Sequence, residues 1–430
     1  MYTSIPPAPL AEPARVAAAV RPLHVAVVDE ELPYPPTSGK RIRTLNLLRR
    51  LARRHRLTYL CHRNADAVEG KKAAEHFADL GIETVVVDRS VPPRRGPGFY
   101  FRLAANLLSS LPYSVASHTS GALRQALREH ARTRPVDLWH CEWTPYAYSL
   151  RGVVEGPRVV VAHNVESVIW QRYAETEPNP LKRWYIRGQW RKFARFEQTV
   201  LREVDHTIAV SDLDAARFRL RFGLDRVSVV ENGVDLHYFR PRSDWREPSR
   251  LLFLGSLDWR PNLDGVGLLL ERVFPAVRAA CPSAVLELVG RNPPDELRRR
   301  AANIPGVELH ADVADVRPHL ARCGMMVVPL RIGGGSRLKI LEALASATPV
   351  VSTLVGAEGL LLDAGRHLRV VEGIEDLAPA ILDAMGSPDR LRDEAERGRG
   401  RVQELYGWDT LAAKMERIWI ECVAAARGGV

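Results

Sequence analysis

Residues 324–353 read GMMVVPLRIGGGSRLKILEALASATPVVST, and they predict one complete structural unit. The apolar run at 324–330 predicts a strand buried on both faces, because a strand with one wet face would alternate apolar and polar residues. Apolar residues then recur at helical spacing over 336–346, and TPVVST at 348–353 predicts a second strand. The stretch therefore predicts a strand, a glycine turn, a helix and a parallel strand.

The same alternation of apolar runs and amphipathic segments extends over both halves of the chain. Runs in the first half are LHVAVVD (23–29), LTYL (57–60), ETVVVD (83–88), DLWHCE (137–142), RVVVAHN (158–164) and HTIAVS (206–211). Further runs in the second half are RLLFLGS (250–256), AVLELVG (284–290) and VELHA (307–311). We therefore predict an α/β protein with two doubly wound, Rossmann-like domains that face each other across a ligand-binding cleft.

The domain boundaries follow from changes in composition. Residues 1–20 are rich in Ala and Pro and predict a disordered tail. Residues 229–250, with Asn-Gly, prolines and many charges, predict the linker between domains at 21–240 and 241–405. The C-terminal segment 406–430 predicts a long helix.

Composition narrows the class of protein. The 430 residues are 46% hydrophobic and contain no apolar run long enough for a membrane span, and the start lacks the pattern of a secretory signal. Five scattered cysteines without a C-x-x-C pair predict neither a zinc site nor a disulfide framework. These features predict a cytoplasmic protein.

The net charge of +10 is unevenly distributed. Residues 1–240 carry 36 Lys and Arg against 25 Asp and Glu, whereas residues 241–430 carry 25 against 26. A basic first half would attract anionic lipid or a phosphorylated substrate, although arginines spread over solvated helices would give the same count. No nucleic-acid-binding motif accompanies the charge, so we expect no nucleic acid partner.

The glycine turn predicts a phosphate site. Gly333, Gly334 and Gly335 have no Cβ, so a ligand can approach the backbone amides, and the start of the next helix favours an anion. Arg337 and Lys339 add positive charge. The stretch lacks the Gly-Lys-Ser/Thr of a P-loop and the third glycine of a dinucleotide fingerprint.

One face of the predicted helix carries polar residues. Ser336, Lys339, Glu342 and Ser346 fall within roughly 120° of arc. The simpler interpretation is a surface Lys–Glu pair, which stabilises a helix by only a few tenths of a kcal/mol. The functional interpretation is that the Glu342 carboxylate accepts hydrogen bonds from both hydroxyls of a ribose. The turn and the helix would then together bind a nucleoside diphosphate.

Five segments together resemble one known family. They are PYPPTSGKRIRTLNLLRRLARRH (33–55), VAHNVE (161–166), AVSDLDAARF…VSVVENGVD (209–235), LFLGSLDWRPNLDG (252–265) and VVPLRIGGGSRLKILEALASATPVVSTLVGAEGL (327–360). In this order they resemble the family 4 glycosyltransferases, which have the GT-B fold, and within that family the sugar transferases of bacterial exopolysaccharide and cell-envelope clusters. The resemblance extends over nearly the whole chain after the tail, and it implies that the C-terminal helix at 406–430 packs back toward the N-terminal domain.

The resemblance implies transfer of a sugar from a nucleotide diphosphate sugar to an acceptor hydroxyl, with retention of anomeric configuration and without a metal or other cofactor. Donor-site roles follow by matched position. Arg337 and Lys339 would contact the diphosphate. Glu342 would bind the ribose, and His163 would contact the donor sugar. The remaining donor-binding candidates are Gly39, Gly255, Arg260, Gly333, Gly334, Gly335 and Ser336.

The sequence departs from the family pattern in two places. Gly334 stands where relatives have the first of two glutamates, which leaves the donor sugar open. Ser256 follows Gly255 where relatives have an arginine, so Arg260 is the nearest basic residue. Two alternatives therefore stay open, a nucleotide-sugar 2-epimerase and a non-catalytic nucleotide-binding homologue.

Other features allow two interpretations each. His163 could be a buried structural histidine, and His140 and Glu142 also end a strand. SDLD at 211–214 resembles an Asp-x-Asp metal motif, but Ser and Asp at this spacing favour a helix cap. The apolar segment 98–115 would contact a lipid-linked acceptor or the inner membrane face, or would simply be a partly buried helix covering the sheet.

Overall fold

The computed structural model describes residues 21–88, 96–241, 246–332 and 337–428. The predicted disordered tail, residues 1–20, lies outside this part of the chain. The chain divides into two compact units. The first unit contains the described chain up to Glu231 together with Leu411 onward, and the second contains Asn232–Thr410.

The first unit is built on a parallel sheet of seven strands. The strands are β1 His24–Val28, β2 Arg56–His62, β3 Glu83–Val87, β4 Leu138–Cys141, β5 Arg158–Ala162, β6 His206–Ala209 and β7 Val227–Val229. Their spatial order is β3-β2-β1-β4-β5-β6-β7, with all neighbours parallel. The order reverses between β1 and β4, and ligands bind at such a switch point in open α/β sheets.

Helices cover both faces of this sheet. They are α1 Gly39–Leu51, α2 Ala67–Asp79, α3 Pro97–Leu107, α4 Tyr113–His118, α5 Gly121–Thr133, α6 Thr144–Leu150, α7 Glu166–Thr176, α8 Pro180–Arg202 and α9 Asp212–Phe222. All five residues of β1 are buried, as the continuous apolar run predicted. The Ser211 hydroxyl accepts a hydrogen bond from the Asp214 amide at 3.1 Å, so the SDLD segment caps α9.

The second unit repeats the architecture with a six-stranded parallel sheet. Its strands are β8 Glu247–Leu254, β9 Val285–Gly290, β10 Val307–Ala311, β11 Cys323–Val328, β12 Val350–Thr353 and β13 Arg369–Val371. Their order is β10-β9-β8-β11-β12-β13. The helices are α10 Arg260–Leu268, α11 Phe274–Ala280, α12 Asp295–Ala302, α13 Arg317–Arg322, α14 Leu338–Ala345, α15 Leu354–Ala357, α16 Leu377–Gly386 and α17 Pro388–Leu405, with a π-helical turn at Leu269–Val273. Both predicted doubly wound sheets are confirmed.

The division between the units falls before the predicted boundary at 240/241. The Val234 amide donates to the Tyr406 carbonyl at 2.9 Å, and Phe239 is buried. The Arg317 guanidinium lies 3.9 Å from the centre of the Tyr238 ring. These contacts attach the segment after Glu231 to the second unit.

The final helix, α18 Trp408–Gly428, extends into the first unit. Trp419 is fully buried there. Glu416 lies 3.0 Å from the Nε2 atom of His55, and Lys414 forms an ion pair with Glu231 at 2.8 Å. The predicted packing of the C-terminal helix toward the N-terminal domain is confirmed.

Candidate functional site

The glycine turn itself, Gly333, Gly334, Gly335 and Ser336, lies outside the described residues. The structure resumes at Arg337, which is the N-cap of α14. The proposed roles of the backbone amides in this turn therefore stay predictions.

Lys339 lies beside Asn262 and Phe253, close to the charge of Arg337. Its Nζ atom donates to Oδ1 of Asn262 at 3.0 Å and lies 4.7 Å from the centre of the Phe253 ring. Burial, together with the neighbouring charge of Arg337, lowers the pKa of Lys339 to about 7, although Glu342 opposes the shift. An anion that binds beside Lys339 would stabilise its charged form and raise its pKa.

Asn262 was missed by sequence reasoning. Its Nδ2 atom donates to the Ser256 carbonyl at 2.7 Å, which fixes the amide so that Oδ1 faces Lys339. The residue lies in the first turn of α10, within the segment 252–265 that resembles the family, but the sequence assigned it no role. Its position shortly after Gly255, the glycine that follows β8, could have suggested a role.

Gly255 lies directly against these two side chains. A Cβ atom on Gly255 would come within 2.8 Å of both the Lys339 Nζ atom and the Asn262 Nδ2 atom. The structure therefore brings together Gly255 and Lys339, two of the predicted donor residues, and explains the glycine by close approach. Arg260 is the exposed first residue of α10.

Glu342 is a buried carboxyl group and not half of a surface pair. It is 6% exposed, and burial raises its pKa to about 7, with Lys339 acting in the opposite direction. Helix α14 is enclosed on most sides, because α17 packs against it where Gly398 meets Leu344. The surface interpretation of Lys339 and Glu342 is therefore wrong, and Ser346 on the same face is also buried.

Arg337 is directed toward α15. Its Nη2 atom donates to the Val355 carbonyl at 2.7 Å and lies 4.0 Å from a carboxylate oxygen of Glu358. The guanidinium is nearly fully buried. Its charge contributes to the field at Lys339, so the two predicted diphosphate residues act on one another.

In the first unit, His163 follows β5 and contacts a carboxylate that follows β4. The His163 Nε2 atom lies 3.1 Å from Oε2 of Glu142, and Oε1 of Glu142 lies 3.1 Å from Nε2 of His140. Burial would raise the pKa of Glu142, but these hydrogen bonds outweigh it and hold the pKa well below its usual range. Burial lowers the pKa of His163. The structure joins three strand-end residues that the sequence had left as separate candidates.

A second charged group lies at the carboxyl end of β1. Asp29 forms an ion pair with Lys40 and accepts a hydrogen bond from the Tyr59 hydroxyl at 2.7 Å. Burial lowers the pKa of Lys40, but the carboxylates of Asp29 and Glu30 outweigh it and raise the pKa. Lys40 follows Gly39, the first residue of α1, so the predicted glycine begins the helix that carries this charge.

The sequence profiles of two glycosyltransferase families match the chain. "Glycosyltransferase Family 4" matches residues 37–238, and "Glycosyl transferases group 1" matches residues 248–387. Together they extend over most of both units. The chain belongs to the family 4 glycosyltransferases.

Curated relatives of this family 4 chain include mannosyltransferases. It is 26% identical over 254 residues to the MMP alpha-(1->4)-mannosyltransferase of Mycolicibacterium hassiacum, which is 56% of this chain and 61% of that protein. It is 32% identical over 230 residues to the phosphatidyl-myo-inositol mannosyltransferase of Mycolicibacterium smegmatis, 51% of this chain and 58% of that protein. The matched region thus spans about 60% of the length of these relatives.

A relative matched over more of its length is an uncharacterized protein in the cps region of Klebsiella pneumoniae, at 24% identity over 89% of this chain and 96% of that protein. Among solved structures, sucrose-phosphate synthase from Thermosynechococcus elongatus matches with a TM-score of 0.70 at 20% identity, over 94% of this chain and 100% of that one. Anabaena HepE in complex with UDP and glucose matches with a TM-score of 0.63 at 14% identity, over 92% and 98%. The fold of this family 4 chain is GT-B.

One cluster outside the donor residues has the composition of a metal site. One ligand atom each from Glu287, His310 and His319 lies within 4.8 Å of the others. However, Glu287 already pairs with Arg250 at 2.8 Å and with Arg322, and His319 Nδ1 lies 2.9 Å from its other oxygen. Two guanidinium groups on one carboxylate indicate an ion-pair cluster, so no metal is assigned here, and metal independence of the family 4 chain stays a prediction.

None of the helices in the described ranges is both long enough and apolar enough to cross a bilayer.

Proposed function

We propose that this chain transfers a sugar from a nucleotide diphosphate sugar to an acceptor hydroxyl. The observation that carries the proposal is the grouping of Lys339, Asn262, Gly255 and the buried Glu342 at the carboxyl end of β8 and the start of α14. A desolvated cation and a buried carboxyl group fit a diphosphate and a pair of ribose hydroxyls. Family membership supports the same reaction.

Departure of the nucleoside diphosphate would develop negative charge on its oxygens. Lys339 is already positioned by Asn262, so its charge would stabilise that departure without reorganisation during the reaction. The positive charge of Arg337 adds to the same field. These side chains supply the charge that other enzymes take from a metal ion, and we therefore propose a metal-independent reaction.

Retention of anomeric configuration and a contact between His163 and the donor sugar are further parts of the proposal. Both rest on the resemblance to family 4 enzymes. The anomeric configuration of the transferred sugar, read by NMR of the product, tests retention directly. An inverted product would contradict it.

The acceptor is proposed to be lipid-linked, and the protein to contact the membrane surface peripherally. The segment 98–115 is not a covered helix, because Phe101 of α3 is 74% exposed and the following Leu108 is 95% exposed. Trp184 near the start of α8 is also exposed. Apolar side chains on a strongly basic half of the chain fit an anionic lipid surface. The phosphatidyl-myo-inositol mannosyltransferase among the relatives supports a lipid acceptor, and the cps-region relative supports polysaccharide synthesis.

The proposal is tested by thermal unfolding with a panel of nucleotide sugars, including GDP-mannose and UDP-glucose, in EDTA. A donor at about 100 times its Kd should stabilise the protein by about 2.7 kcal/mol. The selected donor is then incubated with the protein, and release of nucleoside diphosphate is measured with and without EDTA. If no nucleotide sugar in the panel stabilises the protein, the proposed donor site is contradicted. If turnover is lost in EDTA, metal independence is contradicted.

No observation favours the nucleotide-sugar 2-epimerase alternative. The same incubation separates the two reactions. An epimerase would convert the nucleotide sugar into another nucleotide sugar, whereas a transferase would release the nucleoside diphosphate and transfer the sugar to an acceptor.

A further inference from the structure

A charged cavity of the second unit lies between the segment that precedes β13 and the helix α17. Its volume is about 400 Å³, which is within the roughly 300–1,000 Å³ of sites that bind small molecules. The lining residues carry charges of both signs, and they are Asp363, Arg366, His367, Arg397, Arg401 and Glu404. None of them belongs to the donor site described above.

The cavity is also separate from the donor residues in position. His367 lies shortly before β13 begins, whereas Gly255 and Lys339 lie after the end of β8 and in the first turn of α14. The strands from β8 through β11 and β12 to β13 are all parallel, so the start of one and the end of another lie at opposite edges of the sheet. His367 therefore lies toward the edge opposite to the donor residues.

A close approach of α17 brings two of the arginines to this segment. A Cβ atom on Gly398 would lie 2.5 Å from the carbonyl oxygen of His367, so the contact requires a glycine. Arg397 and Arg401 are four residues apart on α17, and residues at this spacing are neighbours on one face of a helix. The glycine contact and the helical spacing thus bring both guanidinium groups to one cavity.

Hydrogen bonds orient these two guanidinium groups but use few of their donors. The Nε atom of Arg397 donates to the Arg366 carbonyl at 3.0 Å, and that of Arg401 donates to the Leu361 carbonyl at 3.4 Å. Arg401 also donates from Nη1 to Glu404 at 2.8 Å, whereas Arg397 forms no ion pair within the described chain. Both Nη atoms of Arg397 and Nη2 of Arg401 therefore remain available to a ligand.

The ring of His367 adds a buried donor to the cavity. The residue is 6% exposed, and its Nδ1 atom accepts a hydrogen bond from the Asp363 amide at 2.9 Å, so the proton of the neutral ring is on Nε2. In the part of the chain that the structure describes, no group accepts a hydrogen bond from this Nε2 atom. Burial lowers the pKa of His367, and the charges of the three cavity arginines act in the same direction, opposed by Asp363. The ring is therefore a neutral donor on which three guanidinium charges act.

These groups together select one class of ligand. Guanidinium groups and an imidazole N–H are donors that bind a phosphate group, and arginines bind it strongly because the hydrogen bonds are charge-assisted. The carboxylates of Asp363 and Glu404 would repel further phosphates, but they accept hydrogen bonds from hydroxyls. The cavity therefore fits a molecule with one phosphate group and several hydroxyls.

We propose that this cavity is a binding site for a soluble sugar phosphate. Arg397, Arg401 and the Nε2 atom of His367 bind the phosphate, and Asp363 and Glu404 accept hydrogen bonds from sugar hydroxyls. The site is independent of the proposed transfer reaction, because it shares no residue with the donor site.

The test is calorimetric titration of the full-length protein at pH 7.5. The probes are glucose 6-phosphate, glucose 1-phosphate and mannose 6-phosphate, with inorganic phosphate and glucose for comparison. At least one hexose phosphate should bind about tenfold more tightly than inorganic phosphate, because the carboxylates add hydrogen bonds to its hydroxyls, and glucose should not bind measurably. If no hexose phosphate binds, or if inorganic phosphate binds equally well, the proposal is overturned.

Two substitutions locate the bound phosphate. Arg397→Gln should weaken binding of the hexose phosphate by about tenfold or more. His367→Asn should weaken it by about tenfold, because the asparagine oxygen keeps an acceptor for the Asp363 amide while the Nε2 donor is lost. Unchanged affinity in both folded variants would overturn the proposal.

The matched control is Arg392→Gln, which removes the same charge from the same helix. Arg392 is exposed, pairs with Asp389 at 3.0 Å and does not line the cavity. This variant should bind the hexose phosphate as tightly as the wild type. An equal loss of affinity in Arg392→Gln and Arg397→Gln would show that only the net charge of the protein attracts the phosphate, and would overturn the site.

Two further measurements separate this cavity from other places where a phosphate could bind. Lys339→Met should retain the affinity for the hexose phosphate, and a loss in this variant would place the ligand in the donor site instead. Binding to vesicles that contain phosphatidylinositol 4-phosphate, without binding of any hexose phosphate, would overturn the assignment to a soluble ligand. Failure of every nucleotide sugar to bind would contradict the proposed function, whereas the hexose phosphate titrations would still decide whether this site exists.

Discussion

Binding of a nucleotide sugar should transfer a proton from buffer to Lys339. Burial and the charge of Arg337 lower the pKa of this lysine to about 7 in the free protein. At pH 7.5 about three quarters of the Lys339 side chains would then be uncharged. A diphosphate beside the Nζ atom favours the charged form and raises the pKa, so binding takes up about 0.75 proton at this residue.

Glu342 offsets part of this uptake. Its pKa is raised to about 7, so about one quarter of its side chains are protonated at pH 7.5. Hydrogen bonds donated by ribose hydroxyls would favour the ionised form and release up to about 0.25 proton. The net uptake at pH 7.5 is therefore about 0.5 proton per donor bound, and it should increase between pH 6 and pH 8 as the free lysine loses its charge.

The assay is calorimetric titration of the selected nucleotide sugar at pH 7.5 in buffers of different ionisation enthalpy. The dependence of the observed enthalpy on buffer gives the number of protons. A nucleotide sugar is preferred to a free nucleoside diphosphate because its diphosphate has no terminal oxygen that titrates near neutral pH. Lys339→Met keeps the aliphatic stem over Phe253 and should remove the uptake and weaken binding by about 10- to 100-fold.

The control is Lys72→Met on α2, which removes an exposed lysine of the first unit. It should retain both the affinity and the proton uptake of the wild type. Tight binding by wild-type protein with a net proton uptake that does not increase between pH 6 and pH 8 would refute the reasoning, because Lys339 would then not change its state when the diphosphate binds. Uptake that persists in Lys339→Met would refute it equally.

Three further outcomes are expected. Glu342→Gln should weaken binding of the donor by about tenfold but leave binding of its 2′,3′-dideoxy analogue unchanged, as measured by calorimetry, and an equal loss for both ligands would argue against a ribose contact. Gly255→Ala should weaken donor binding, because the new Cβ atom would lie 2.8 Å from the Lys339 Nζ and Asn262 Nδ2 atoms and displace them; a large fall in Tm with unchanged affinity would contradict this. Phe101→Ser with Leu108→Ser should reduce co-sedimentation with vesicles containing anionic lipid while leaving nucleoside diphosphate release from the donor unchanged, and undiminished co-sedimentation would remove these side chains from the proposed membrane contact.

Much of the fold was predictable because its signals are local. A strand buried on both faces must be continuously apolar, and the run at 23–29 contains β1, whose five residues are all buried. The spacing of Ser211 and Asp214 was enough to predict a helix cap, since both partners lie in one turn. The grouping of Lys339 and Glu342 was also visible, because residues three apart on a helix share a face.

The environment of those residues was not predictable. A helical wheel shows that Lys339 and Glu342 point in similar directions, but it does not show what surrounds the helix. A surface ion pair and a buried ligand site therefore give the same sequence pattern. The surroundings of the helix include α17 and, beside Lys339, Phe253 of β8, which are distant in sequence. At 98–115 the sequence left a lipid contact and a covering helix both open, and only the structure shows that the Phe101 side chain is largely exposed.

The sequence by itself therefore determined two parallel sheets and the family, and it predicted which residues would contact a diphosphate and a ribose. Tertiary structure alone decided that Asn262 holds Lys339 and that Trp419 contacts His140, a partner 279 positions away along the chain. The physical reason is that periodicity and capping act within a few residues, whereas the pKa of a lysine and the tautomer of a histidine depend on whatever the fold places within about 4 Å of them.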